Sequence, residues 1–374
     1  MSPRRLGVGL ALGACAFWAC STARVAGLAG APDAEVRDAS PAEDTAAPID
    51  LPDAAEAGCT PDTGRDPKNC GACGRDCRGA PCEKGMCRPE LVATALKDPW
   101  YLALDDAFVY WTDLNGGSIV RVDKAGLTAP IHLAYNQSAP FDVKVDERSV
   151  YWTNRGDGTI VRADKGDGGA QATLATLADA GPLEIALDDA SVYWTVEGRD
   201  ASPGGVFRVD KQQGGTPIAL CPQRGSPQGL ALDGERVYWA DHAAGTIESA
   251  DRNLGGAPIQ IANGLDSPSR LAVDEAYVYW LCDTSDAVSR APKKGGGGAT
   301  RIATGTKVSI GGIAVDASNV YWASSGAGIV SRAPKSGGAA FTLAVGQRVP
   351  VAVVVDATHV YWTNRDGTIL RTVK

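Results

Sequence analysis

Few residues of this chain are of a kind that does chemistry, and they lie far apart. Its histidines are His132, between Ile131 and Leu133; His242, after Trp239-Ala240-Asp241; and His359, before Val360-Tyr361. They are too scattered for a histidine cluster, and no Ser-His-Asp order or metal-spaced ligand set accompanies them. The glycine run 295–298 has no helical pattern behind it, so it reads as a turn and not a phosphate loop. Two acids, Asp142 and Glu184, remain as candidate metal ligands or an acid–base pair. The other reactive residues are ten cysteines, six of which crowd together: Cys59, Cys70, Cys73, Cys77, Cys82 and Cys87. Such density fits an oxidising compartment. Cys70-x-x-Cys73 has zinc-like spacing, but no histidine is near. A segment this short cannot build a core without cross-links, so disulfides are expected, with the pairing left open. Cys221 and Cys282 stand apart and are expected to be free, partly buried thiols.

The net charge is −8 and the isoelectric point about 5.0, which argues against a nucleic-acid partner because phosphate binding needs a basic face. Residues 1–20 read as an export signal: Arg4 and Arg5 precede an apolar run over 6–18 that is too short to span a membrane. Leu12-Gly13-Ala14-Cys15 resembles the lipobox of bacterial lipoproteins, and Phe17-Trp18-Ala19-Cys20 is a poorer version of it. Lipidation is expected at Cys15 or Cys20; the alternative is an ordinary signal cut near Ala29-Gly30-Ala31. Residues 21–57 form a linker. Its stretch 31–57 holds nine alanines, four prolines and eight acids against one base, so it has nothing to bury and is expected to be a disordered tether. Residues 58–90 are the six-cysteine module, and 91–374 are a repeat domain.

The elements that must position any site are set by that repeat. Val-Tyr-Trp occurs seven times, at Tyr110, Tyr151, Tyr193, Tyr238, Tyr279, Tyr321 and Tyr361, spaced by 41, 42, 45, 41, 42 and 40 residues. An aspartate lies five residues before each tyrosine, and a proline eleven before in six of the seven copies. An arginine usually follows about ten residues after, then a Lys or Arg three further on. Each copy reads as four short strands: an alternating apolar segment, the aspartate turn, Val-Tyr-Trp, and two strands around a glycine turn. Four antiparallel strands every forty-odd residues predict an all-β, seven-bladed β-propeller. The last copy lacks a fourth strand, and residues 91–96 resemble one, so they are expected to pair with the last blade and close the ring. Columns that recur in every blade are expected to be interblade packing, turns and hydrogen bonds.

Tyr110-Trp111-Thr112-Asp113 resembles the Tyr-Trp-Thr-Asp motif of the LDL-receptor-type propellers, within the wider TolB-like group; Tyr151-Trp152-Thr153-Asn154 and Tyr361-Trp362-Thr363-Asn364 are near matches. The resemblance implies a binding platform without naming a ligand. That family has six blades, and seven are counted here.

Function is therefore sought among positions that differ between blades. The residue opening each first strand should ring one mouth of the channel. Tyr101, Asp142, Glu184 and Arg270 are the polar members, and alanine at Asp142 or Glu184 is expected to leave the fold intact. Loops of the same face add Arg155, Arg199, His242 and Arg365, with Trp100 and Phe141 beside them and one insertion over 197–205. These residues suit a monomeric, exported lipoprotein of the outer membrane or cell surface, or a periplasmic or secreted one, that binds a protein or glycan without a cofactor. A propeller hydrolase or lyase using Asp142 and Glu184, and a structural envelope protein, are the alternatives.

Overall fold

The computed structural model describes residues 64–71, 75–178, 180–198, 204–283, 287–304 and 311–374. Cys15, Cys20, Cys59, Cys73 and Arg199 lie outside these, with the signal and tether segments. Among the described residues the repeat domain is a seven-bladed β-propeller of four-stranded antiparallel sheets. Blade 1 is typical, with strands Pro99–Leu104, Phe108–Asp113, Ser118–Asp123 and Ile131–Ala134 in sequence order from the channel outward. Blade 7 runs Pro350–Val355, His359–Asn364 and Thr368–Val373, and its fourth strand is Glu90–Ala93, paired antiparallel to Thr368–Val373. That strand starts one residue earlier and ends three earlier than the pattern suggests; Ala95 takes a positive φ of 61°, and Leu96 beyond it still donates its N–H to the Gly367 carbonyl of blade 7.

The Val-Tyr-Trp strand is covered on both sides. Each tyrosine shares an apolar core with the tryptophan of the next blade: Tyr110 with Trp152, Tyr151 with Trp194, and so on to Tyr361 with Trp111. All fourteen rings are no more than 1% exposed. Burying one tryptophan removes roughly 200 Å² from water, ~5 kcal/mol before chain entropy is subtracted. These seven cores are the main adhesive between blades.

The aspartate column adds a polar ring outside them. One carboxylate oxygen accepts the tyrosine hydroxyl five residues on, at 2.7–3.0 Å in all seven blades. The other accepts backbone N–H groups two and three residues on, as Asp105 does from Ala107 and Phe108. The Lys or Arg of the following blade then reaches back to the same aspartate at 2.7–3.1 Å: Lys165 to Asp105, Lys211 to Asp146, Arg252 to Asp188, Lys293 to Asp233, Lys335 to Asp274, Lys374 to Asp316 and Lys124 to Asp356. The arginine column donates to carbonyls in the next blade's turn, as Arg162 does to Lys211 and Arg371 to Lys124.

In the cysteine module Cys70 pairs with Cys82 and Cys77 with Cys87. Cys70 is therefore not available as a zinc ligand. Those four sulfurs, Ala80 and Val373 of blade 7 form one small core, and the buried Arg75 guanidinium stacks 4.4 Å from the Phe341 ring centroid in blade 6. Burial, and secondarily Arg332, lower Arg75 to about 10. Replacing Cys77 and Cys87 by alanine is expected to cost the module ~3 kcal/mol, through loss of a short closed loop. Limited proteolysis within 64–90 would report it; unchanged cutting rates would contradict it. Cys221 and Cys282 are buried, at 1% and 4% exposure, more deeply than expected. Burial pushes the Cys221 thiol up to about 11, which makes it a poor nucleophile.

Candidate functional site

The channel site is built by a β-bulge that recurs in six blades. In blade 1, Pro99 pairs with Asp113 but Leu102 pairs with Trp111, so the first strand carries one extra residue at Trp100-Tyr101. The same shift places Phe141-Asp142, Leu183-Glu184, Gln228-Gly229, Ser269-Arg270 and Val351-Ala352. A bulge re-aims side chains and leaves backbone groups unpaired. The threonine of Tyr-Trp-Thr satisfies them: Thr112 Oγ1 accepts the Tyr101 N–H and donates to the Phe141 carbonyl of the next blade. Thr153 repeats this with Asp142 and Leu183, and Thr363 with Ala352 and Trp100.

The four polar residues expected at the mouth lie within the channel. Glu184 is their centre. Its Oε1 accepts the Tyr101 hydroxyl at 2.7 Å and the Arg270 guanidinium at 2.9 Å, and its Oε2 accepts the Leu230 N–H of the next blade at 2.9 Å. Asp142 is placed alike: Oδ2 accepts the Ile185 N–H of the next blade, and both oxygens receive Lys144 Nζ at 2.9 Å. Asp142 and Glu184 are 1% and 6% exposed. Burial pushes the Glu184 carboxyl up, Arg270 opposes this, and the like charge of Asp142 adds to it. Burial also holds the Tyr101 phenol well above its ordinary value. At Gly229 and Gly312 the neighbouring strand is so close that a Cβ would collide with the Ser269 carbonyl or the Val353 N–H. The channel is thus crossed by Tyr101, Glu184 and Arg270, contributed by blades 1, 3 and 5.

The residue before each channel residue forms the loop-side mouth. A cavity of about 230 Å³ opens there, lined by Trp100, Phe141, Arg155, Glu197, Arg270 and Asp283 among others. Arg365 lies 5.0 Å from the Trp100 ring centroid, Trp100 lies 6.0 Å from Phe141, and Arg155 lies 5.6 Å from Phe141 on a further side. Each cation has an acid: Arg365 with Asp98 at 3.2 Å and Arg155 with Glu197 at 3.3 Å. His242 faces Asp283 at 3.6 Å, and Asp283 accepts the Ser269 hydroxyl. His132 stacks on Tyr135 at 4.7 Å on the exposed outer strand of blade 1, and His359 begins the second strand of blade 7. The three histidines stay apart. Sequence reasoning placed Trp100 and Phe141 in loops and missed the bulge; a Thr after Tyr-Trp accompanies it in four of the six blades, while Ala240 and Leu281 stand there in the other two.

No family model matches the chain, and no curated protein matches it. Among solved structures it is similar to a streptogramin B lyase, with a TM-score of 0.65 and 12% identity over 77% of this chain and 98% of that one. A virginiamycin B lyase from Staphylococcus aureus matches at 0.63 and 11%, over 77% and 98%. A nidogen/laminin complex matches at 0.47 and 23%, over 53% and 76%. The first two likenesses are of fold, the β-propeller.

Proposed function

We propose that this chain is an exported, membrane-anchored binding protein. Its propeller, of the Tyr-Trp-Thr-Asp kind, holds a protein or glycan at the loop-side mouth. The observation that carries this reading is the contrast between two levels of the channel. Inside, both oxygens of Asp142 and of Glu184 are engaged by backbone N–H groups of the next blade and by Lys144 or Arg270. The scaffold's own N–H groups and cations thus account for both carboxylates structurally, which weighs against the hydrolase or lyase reading although burial raises Glu184 as a general acid would need. At the mouth, half-buried Trp100 and the Arg155 guanidinium line an open cavity, and Arg365 packs against the Trp100 ring beside it. Aromatic and arginine side chains are the types that carry most binding energy at interfaces.

Trp100→Ser with Arg155→Glu is expected to reduce recovery of the partner from envelope extract at least about tenfold, a loss of ~1.4 kcal/mol or more. The thermal midpoint should stay within a few degrees of the parent's. Equal recovery would remove the mouth from the function. Labelled palmitate should enter the full chain and be lost only when the acceptor, Cys15 or Cys20, is replaced; no incorporation would remove the anchor.

A further inference from the structure

The opposite end of the channel carries a second cavity that the loop-side reading does not use. It has a volume of about 400 Å³, within the roughly 300–1,000 Å³ typical of small-molecule sites. Its floor is the Tyr101–Glu184–Arg270 network. Its walls are aliphatic: Ala103, Leu104, Val145, Ala314, Val315 and Val355. Leu104, Val145, Val315 and Val355 are only partly buried, although each packs against an interblade core. One cation, Lys144, lines the wall, and its charge is cancelled by the two oxygens of Asp142.

The turns that follow the first strands surround the entrance, and their charge is one-sided. They present Asp106, Glu147, Asp189, Glu235 and Glu275, all exposed. None of these five carboxylates has a hydrogen-bond or ion-pair partner among the described residues, unlike the column aspartates one or two positions earlier, which are held by lysine or arginine. The only base in these turns is Arg148. The scaffold does not require the acids: Gly234, Ala317 and Ala357 directly follow the column aspartate in three blades, where Asp106, Glu147, Asp189 and Glu275 stand in the others.

An aliphatic well with a neutral polar floor and an unneutralised acidic rim selects one chemistry. We propose that this end of the channel binds a small amphipathic cation, an alkyl- or aryl-ammonium ion whose apolar body enters the well while its charge remains at the rim. An anionic amphiphile of the same length would meet the acids on entry and find Lys144 already paired. The site is independent of partner capture at the mouth, because no residue of the mouth is needed for it except the shared floor.

Calorimetric titration of the full chain with octyltrimethylammonium and with octanoate tests this. The ammonium ion should bind at least about tenfold more tightly, and its affinity should fall severalfold between about 50 and 500 mM salt, as expected for exposed charges. Ala314→Leu, which fills the well, should abolish the binding. Glu147→Lys with Asp189→Lys, both exposed and remote from the core, should invert the preference toward octanoate while leaving the thermal midpoint and partner recovery unchanged. Preference of the parent chain for octanoate, absence of binding of either ion, or ammonium binding untouched by both variants would overturn the proposal.

Discussion

Glu184→Ala is expected to destabilise the propeller by ~3–5 kcal/mol, the usual result of leaving one member of a buried ion pair without its partner. The side chain crosses the channel to Tyr101 and Arg270 and also holds the Leu230 N–H of the neighbouring blade. Its removal leaves Arg270, with 12% of its side chain exposed, as an uncompensated cation, and orphans a buried N–H. Glu184→Ala with Arg270→Met should recover much of the loss, since replacing both charges removes the desolvation penalty along with the attraction. Asp142→Ala should behave similarly but more mildly, because Lys144 has 38% of its side chain exposed and can be hydrated. Urea unfolding midpoints measure both. A loss below about 1 kcal/mol in Glu184→Ala, together with loss of a catalytic or binding activity, would return Glu184 to a functional role. The same measurement decides the sequence-based expectation that alanine at either of these acids leaves the fold intact, which the contacts of the two carboxylates argue against. Their non-repeating identity suggested a site, but each is tied to the next blade's backbone.

The second large effect is a stability window bounded at both ends by the same seven aspartate–tyrosine–cation groups. Burial by itself would raise Asp105 and Asp274, yet hydrogen bonds from Lys165 or Lys335, a tyrosine and two backbone N–H groups outweigh it and hold them at about 2. The other five column aspartates are lowered as well. An unfolded aspartate titrates near ~3.9, so below that pH the unfolded chain binds more protons than the folded one, and stability falls as pH falls. The contribution is complete above about pH 4 to 5. Discounted for partial solvent screening, it amounts to ~1 kcal/mol for each of Asp105 and Asp274. At the alkaline end, burial and then the aspartate raise Tyr151, Tyr193 and Tyr361 to about 12. Unfolded phenols ionise near ~10, so this contribution is present below about pH 10 and is lost as pH rises toward the folded value. Unfolding midpoints should be flat between about pH 5 and 9 and drop on both sides. A midpoint unchanged from about pH 5 to 2.5 would contradict the ring. Tyr238→Phe should soften the alkaline limb and, because Asp233 loses the hydroxyl that helps to lower it, weaken the acid limb by a smaller amount.

Legibility followed periodicity. The blade number, the strand order and the Asp, Tyr, Trp and Arg columns could be read directly, because a residue that recurs every forty-odd positions must do the same structural task each time. The interblade role of the Lys or Arg column was visible only as a recurrence; that Lys165 reaches Asp105 sixty residues earlier needs the packed blades. The site was read in part. Tyr101, Glu184 and Arg270 do converge on the channel, and Arg270 also lines the loop-side mouth where all four were expected, while Trp100 and Phe141, expected beside it, line it directly. One extra residue per first strand changes which side chain faces inward, and a bulge leaves little trace in an alternating apolar pattern.

The all-β class, the seven repeats of four strands and the net acidic charge were legible in the chain alone, because these depend on local spacing and composition. What the non-repeating residues touch is set by the packing of the blades. Whether Glu184 is a free acid or a buried cross-tie depends on Tyr101 and Arg270, 83 and 86 residues away. Whether the exposed acids of the turns surround anything depends on the well that the closed channel leaves between them. Charge and burial are properties of neighbours in space, and the chain acquires those neighbours only when the blades pack.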